Sequence, residues 1–408
     1  MELNKKYNNI LLYLGANAPM ENLSNRIIEL NPEIRFIESS IYPERYLSDI
    51  NNTELEKRTI RFDDSIKLNK KKIKLTSIND NNIVDIIDSV MSDKFLPLLW
   101  TRFGTGFQNS NNSEIKRYEL QYSLIKSAIY TINNEKPEIV IFSYEPHMLP
   151  LYIFKKVCEV MNIKVCTLLI SPFFWRMSAN FSFKENTILL ENNISSANKF
   201  DRNESLYKYI EEKKDDYLIA KPFYEKKLSK PGIFGIKNIT QSIRANNYNP
   251  KRIISSLNSK KALKNLITSR EKLENKKYVS FFLHMQPEQT TLPDGGVFTN
   301  QIIAIQALYS AIKPLGISLI VREHPSTFKS TFTPKWRPND FYTSIMDIGD
   351  EIFFDDLDQD PYTLIKNSIA VSSITGTCIL ESMLNGIPAI AFGKHSLIGY
   401  ESNSFIDT

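Results

Sequence analysis

The sequence predicts an α/β protein built as two doubly wound domains of Rossmann type, and three observations carry that expectation. At 408 residues the chain exceeds what one hydrophobic core usually organises. Short apolar runs of strand length alternate with helical stretches in two separate series, one ending near residue 170 and the other opening near residue 278. Several of these runs end in His, Ser, Pro or Gly, and in open α/β sheets ligands sit at the carboxyl ends of the strands.

Taken in order, residues 9–13 form a first apolar strand, followed by a turn at 14–17, a helix at 22–30 and a second strand at 34–38. Gly15 alone is a weak sign of a ligand loop. Residues 46–95 are polar and rich in Asn and Asp, with a basic run at 67–74, and read as loops and a surface insertion. A helix at 118–133, a core strand at 138–142, a helix at 149–161 and a strand at 164–170 complete the first series. The stretch 200–275 reads as helical and basic.

The second series opens with a strand at 278–283 and a polar loop at 284–296 bounded by Pro and Gly. A helix at about 299–313 and strands at 318–321 and 351–354 follow. The acidic run 355–360 fits a helix start better than a cation site, with Asp360 as the cap and Pro361 in the first helical position. Residues 370–392 then read as a buried strand end, a hydroxyl-rich turn at 372–377, a short helix, a stop at Asn385-Gly386 and a last apolar strand. The expected division is 1–200 for one domain, 201–275 for a basic helical linker or insertion, and 276–408 for the second domain, with a cleft between the two sheets.

Composition sets the class. With 42% hydrophobic and 24% charged residues the chain reads as globular rather than disordered. No run reaches the ~18 apolar residues of a membrane span, and no apolar stretch backs the charged N-terminus as a secretory signal would. Cys158, Cys166 and Cys378 lack metal-ligand spacing and suit reduced structural thiols in a cytoplasm. The net charge of +5 is uneven: residues 221–277 hold 15 Lys or Arg against three acids. That segment is either a solvated helical face or an attractor for an anionic membrane or polyanionic acceptor. No helix-turn-helix, ribonucleoprotein or zinc pattern accompanies it, so nucleic acid is not an expected partner.

Candidate site residues lie at predicted strand ends. The turn Ser372-Ser373-Ile374-Thr375-Gly376-Thr377 offers hydroxyls, backbone N–H groups and a glycine that permits close approach, which suits either a phosphate seat or helix capping. Arg322 and His324 follow the 318–321 strand, and Pro325 turns the chain at the rim. Glu145 and His147 follow the 138–142 strand and are candidate bases for an acceptor hydroxyl. The four histidines, His147, His284, His324 and His395, all follow strands without zinc spacing, so no metal is expected. Glu381, about one turn into its helix, suits a ribose hydroxyl or solvent, and Trp336-Arg337 suits a stacking surface, a phosphate clamp or an exposed loop.

The sequence Arg322-Glu323-His324-Pro325 followed by Ser372-Ser373 resembles the His-Pro and Ser-Ser motifs of bacterial sialyltransferases and of the Kdo transferases of capsule synthesis. The 284–296 loop and the stretch from Thr375 to Lys394 look like those of capsular-polysaccharide biosynthesis proteins. The resemblance covers roughly 278–400. It implies a GT-B glycosyltransferase whose second domain (276–408) holds a nucleotide-sugar donor and whose first (1–200) holds a glycan or lipid-linked glycan acceptor. It further implies no cofactor beyond a CMP-sugar donor carrying an acidic sugar. The resemblance places His324, Ser372 and Ser373 on the donor phosphate and Glu381 on the ribose, with Arg322, Thr375, Gly376, Thr377, His284, Gln286 and Glu288 in the same donor site. His324 joins Glu145 and His147 as catalytic candidates, and localisation is expected to be cytoplasmic, peripheral on the inner membrane face. Two departures stand out: the acidic-pair-plus-glycine base motif of sialyltransferases is missing from the N-terminal half, and the chain stops without the helix that commonly returns to the first GT-B domain, an atypical ending or a fragment. A polyol-phosphate transferase using CDP-glycerol and a non-catalytic capsule assembly or export factor are the competing expectations.

Overall fold

The structure, a computed structural model, describes residues 8–13, 28–39, 57–64, 66, 68–69, 72–73, 82–100, 114–170, 177–181, 250–329, 336–393 and 403–405. The chain divides into two compact units, Met1–Ser196 and Ala197–Thr408.

The first unit contains β1 (Ile10–Tyr13), β2 (Arg35–Glu38), β3 (Thr59–Arg61), a small antiparallel pair β4 (Leu68–Asn69) and β5 (Lys72–Ile73), then α1 (Asn82–Met91), α2 (Leu96–Leu99) and α3 (Glu114–Glu135). β6 (Ile139–Phe142), α4 (Leu149–Val160), β7 (Lys164–Ile170) and β8 (Met177–Phe181) complete it. Its main sheet runs β3-β2-β1-β6-β7-β8, parallel except for β8, which pairs antiparallel to β7. Four elements, β3, the β4–β5 pair and α1, depart from the expectation of loops across 46–95. β3 extends the sheet edge, and α1 buries Ile83, Ile87 and Val90, an i, i+4, i+7 stripe.

The second unit contains α5 (Pro250–Leu266), β9 (Tyr278–Phe282), α6 (Gln301–Ile312), β10 (Ser318–Arg322), α7 (Phe341–Met346) and β11 (Ile352–Phe354). It continues with α8 (Pro361–Lys366), β12 (Ala370–Ser373), α9 (Cys378–Leu384), β13 (Ala389–Ala391) and β14 (Asn403–Phe405). All six strands are parallel, in the order β11-β10-β9-β12-β13-β14. Side chains alternate across the sheet as strand geometry requires. Val279, Phe281, Leu319 and Val321 face a core shared with α5, α6 and α7, whereas Tyr278 and Ile320 face Leu273 and Leu364. Covered on both faces, this sheet obeys the rule that parallel sheets are buried. α5 belongs to that core through Leu263, and Ile267 bridges Phe354, so residues 250–275 form part of the second unit rather than a separate linker. Residues 201–249 lie outside the described residues.

Each sheet has the Rossmann strand order, in which the first and fourth strands are neighbours and the chain winds outward from them in both directions. Two such units match the two doubly wound, Rossmann-type domains that the sequence predicts. The three cysteines are free and buried, and burial pushes the Cys166 thiol up to about 11 and Cys158 and Cys378 upward as well.

Two helix boundaries match the sequence reading in atomic detail. Asp360 caps α8 by accepting from the N–H groups of Tyr362 (3.1 Å) and Thr363 (3.0 Å), with Pro361 next in line. At the end of α9, Gly386 adopts φ 70°, its N–H bonds the Met383 carbonyl, and the Ile387 N–H reaches back to Ser382, which is the paired closure of a Schellman motif. Asp360→Ala is expected to lower stability by about 1 kcal/mol, read as a lower urea midpoint at unchanged slope.

Candidate active site

In the second unit the chain reverses direction between β9 and β12, and their carboxyl ends carry His284 and Ser373. The two loops are stitched together by one imidazole. Thr375 N–H donates to His284 Nε2 at 3.0 Å, and Ser373 Oγ lies 3.1 Å from the same nitrogen while donating to the Phe282 carbonyl at 2.8 Å. An amide can only donate, so Nε2 accepts and the proton of the neutral ring sits on Nδ1. Nδ1 faces Thr290 Oγ1 at 3.5 Å and Glu288 Oε2 at 4.0 Å. Ser373, His284 and Glu288 therefore look like a nucleophilic triad but are not wired as one. The Nε2 lone pair that would take the serine proton is occupied by Thr375, and Ser373 is 1% exposed.

Behind this junction lies a buried ion pair. Among the described residues Arg337 is the largest fully buried side chain, and all five of its N–H donors have acceptors. Nε and Nη2 bond the Glu323 carboxylate at 2.6 and 3.1 Å, Nη2 also meets the His284 carbonyl at 2.8 Å, and Nη1 meets Gln286 Oε1 and the Trp336 carbonyl at 3.0 Å each. The guanidinium stacks on Phe341 with its central carbon 4.3 Å from the ring centroid. Glu323 also accepts from His324 N (2.7 Å), Thr327 Oγ1 (2.9 Å) and Tyr342 Oη (2.8 Å). Burial alone pushes this carboxyl up, but the Arg337 charge and the converging donors outweigh it and hold it below its usual range. Burial beside the same carboxylate pushes the Tyr342 phenol well up. Trp336-Arg337 is thus neither an exposed loop nor a phosphate clamp, because its cation is spent inside the protein.

Arg322 is likewise committed. Its guanidinium bonds Asp355 Oδ2 and the carbonyls of Asp356 (2.9 Å), Leu357 (3.3 Å) and Gln359 (2.8 Å), and Arg270 holds both oxygens of Asp355, Oδ1 at 2.8 Å and Oδ2 at 2.9 Å. Arg322 holds the loop after β11 instead of pointing to a donor phosphate. Asp355 and Asp360, in the acidic run, are both used structurally.

His324 is different. It is half-buried, and its Nδ1 accepts from Ser326 N–H at 3.1 Å, which places the proton of the neutral ring on Nε2. Thr375 and Gly376 are half-buried and Thr377 is exposed, so the turn after β12 presents its tip to solvent. A methyl group on Gly376 would lie 2.7 Å from Ser373 Oγ, so this glycine is needed for the turn to fold back on the serine. Glu381 is buried, not solvent-facing, and accepts from Thr377 Oγ1 at 3.3 Å. Ser372 is fully buried with no hydrogen-bond partner for Oγ among the described residues, an unsuitable position for donor contact. Gln286 is also buried; it donates to the Thr299 carbonyl at 2.6 Å and accepts from Gln301 at 2.7 Å. His284, Gln286 and Arg322 shape the edge of the sheet, while His324, Thr375, Gly376 and Thr377 are the members of the predicted set that reach its surface. His395 lies outside the described residues.

In the first unit the corresponding reversal falls between β1 and β6. Tyr13 and Tyr144 span it with their hydroxyls 2.8 Å apart and their rings edge to face, a pair that sequence reasoning did not single out. Tyr144 packs beside His147 at 5.2 Å between centroids. His147 Nδ1 lies 3.1 Å from the Glu145 carbonyl, which can only accept, so Nδ1 carries the proton and Nε2 keeps its lone pair. The Glu145 carboxylate is paired with Lys155 of α4, both nearly buried, and Lys155 reaches Glu159 at 3.6 Å.

No family model matches the chain, and no curated protein matches it. Among solved structures the chain is similar to KpsC, beta Kdo 2,7 transferase, of Thermosulfurimonas dismutans, at 11% identity over 69% of this chain and 74% of that one, with a TM-score of 0.33. It is also similar to UDP-GlcNAc 2-epimerase of Methanocaldococcus jannaschii in complex with UDP-GlcNAc and UDP, at 12% identity over 97% and 88% of the two chains, TM-score 0.25. A third is S. aureus MnaA with UDP, at 11% identity over 94% and 79%, TM-score 0.24.

Arg337→Met is expected to cost about 3–5 kcal/mol, because it strands a buried carboxylate. In the wild-type protein the Glu323 contribution is fully present above the ordinary carboxylate range and is lost as pH falls through the depressed value. Without Arg337, burial dominates, so the acid-side loss of stability begins at higher pH; urea midpoints across an acidic pH series check both.

Proposed function

We propose that the protein is a GT-B glycosyltransferase of bacterial surface-polysaccharide synthesis that uses a nucleotide-sugar donor, specifically a CMP-linked acidic sugar of the Kdo or sialic acid kind. The observation that carries this reading is His324 at the carboxyl end of β10: Nδ1 accepts from Ser326 N–H, so Nε2 is the proton-bearing atom. In the first unit, taken by itself, His147 Nδ1 bonds the Glu145 carbonyl and leaves Nε2 as the basic nitrogen. Glycosyl transfer with inversion uses a donor at the leaving phosphate and a base at the acceptor. The acceptor oxygen attacks the anomeric carbon, its proton passes to a base, and the bond to the phosphate oxygen breaks with its electron pair. A donor aimed at that oxygen acts mainly on the transition state, where charge develops. His324 fills that role and His147 that of the base. Glu145 is the weaker base, since Lys155 already holds its carboxylate.

The donor assignment draws support from the His-Pro sequence at His324 and, among the described residues, from the commitment of Arg322 and Arg337 to internal acids. A single leaving phosphate needs less cationic compensation than a diphosphate. Of the proposed donor contacts, the surface residues Thr375, Gly376 and Thr377 are retained beside His324, and Glu288 is half-buried at the same edge.

His324→Ala is expected to lower turnover about a hundredfold, in line with loss of one transition-state donor; His147→Ala is expected to fall as far with donor binding retained, whereas Glu145→Gln keeps most of the activity. Steady-state assays with CMP-sialic acid, CMP-Kdo, UDP-GlcNAc and CDP-glycerol, with donor binding measured separately, decide between the readings. Full activity of His324→Ala, or turnover of UDP-GlcNAc or CDP-glycerol alone, sinks the assignment.

We further propose that the basic stretch 221–277 brings the enzyme to the inner membrane face, where lipid-linked acceptors reside. No described helix is long and apolar enough to cross a membrane. Each Lys or Arg near an anionic surface contributes about 1 kcal/mol, so sedimentation with phosphatidylserine vesicles is expected and should weaken with salt. Equal binding to neutral vesicles would point to an apolar anchor instead.

A further inference from the structure

We infer that Glu323 is the positioning residue for His324: its buried carboxylate holds the main-chain N–H of His324 and closes the five-residue loop from 323 to 327, so that the imidazole is fixed with Nε2 as its proton-bearing atom. The catalytic consequence rests on the transferase reading above; the placement does not.

Glu323 Oε1 takes His324 N–H at 2.7 Å and Thr327 Oγ1 at 2.9 Å, binding the first and last turns of the loop to one atom. The loop is closed a second time by Thr327 N–H to the His324 carbonyl at 3.0 Å, and the ring is then locked by Ser326 N–H to Nδ1 at 3.1 Å. A proton on Nδ1 would set two N–H groups head to head, so the ring has one neutral form here. Oε1 is itself held from behind by Arg337 Nη2, and Oε2 by Arg337 Nε and Tyr342 Oη, so the carboxylate has no freedom to swing. Five donors converge on two oxygens. An amide in this position would offer one acceptor oxygen and turn two N–H groups toward donors. The charge of Glu323 is therefore required by the loop, although Glu323 itself lies 1% exposed.

Long-range proton–nitrogen correlation spectra of the full chain read the tautomer directly, and with only four histidines the His324 signals are assigned by their loss in His324→Gln. In the wild-type protein His324 is expected as the Nε2–H form. Glu323→Gln should turn it into a mixture of tautomers and lower turnover of the CMP-sugar by up to about a hundredfold, as for a misplaced catalytic group, with KM little changed. If Glu323→Gln does not fold, Glu323→Asp keeps the charge opposite Arg337 while drawing it back by one methylene, and it is expected to shift the tautomer in the same direction. An Nδ1–H or freely exchanging ring in the wild-type protein overturns the inference. So does a folded Glu323 variant with the wild-type tautomer. The expected spectra together with no turnover of any nucleotide sugar would uphold the positioning and sink the transferase reading alone.

Discussion

A guanidinium and a carboxylate taken out of water together cost several kcal/mol each, and only close pairing with every remaining donor and acceptor matched offsets that cost. Arg337 and Glu323 meet this condition, and by doing so they fix four separate pieces of the second unit. The guanidinium ties down the carbonyl of His284 after β9, the amide of Gln286 in the following loop and the start of α7 through Phe341. The carboxylate ties down the loop after β10. Loops at the end of a parallel sheet have few ladder bonds of their own. Here a single charge pair beneath them replaces the ladder and gives the rim the rigidity of the core.

The two histidine loops use one device in two senses. In Glu145-Pro146-His147 the ring reaches back across a proline to a carbonyl; in His324-Pro325-Ser326 it reaches forward across a proline to an amide. Proline fixes its own φ and restricts the residue before it, so in each case ring and backbone partner stand at a set distance. The direction of the reach decides the chemistry of Nε2. A main-chain carbonyl leaves an acceptor and a main-chain amide leaves a donor, with no charged neighbour required.

The layout of both sheets was legible because apolar runs such as Ile139–Phe142 and Ser318–Arg322 end abruptly in polar, proline-marked turns. Caps were legible for the same reason: Asp360-Pro361 and Asn385-Gly386 encode local backbone geometry in adjacent residues. α1 was hidden because the Asn- and Asp-rich stretch at its start, 79–82, reads as loop and masks the apolar run at helical spacing that follows, Ile83, Ile87 and Val90. β8 was hidden because an edge strand needs little hydrophobic signal. The site was only half legible. Sequence position put Arg322, Ser372 and Gln286 at strand ends, but which face of the sheet a residue occupies, and which distant partner consumes it, depends on pairings across more than thirty residues, as between Arg322 and Asp355. Arg337 was misread for this reason: a cation in a polar stretch looks exposed until its buried partner is known.

The three cysteines, all buried with their thiols shifted upward, have a practical bearing of a different kind. Thiolate is the reactive form, and these side chains neither ionise readily nor meet solvent. A single cysteine introduced on an exposed helical position, Val84 of α1 or Ile303 of α6 for instance, would then be the sole fast-reacting thiol in the chain. Maleimide dyes or spin labels attach there without first stripping out native residues. Either unit can in this way carry a label of its own on an otherwise unaltered protein.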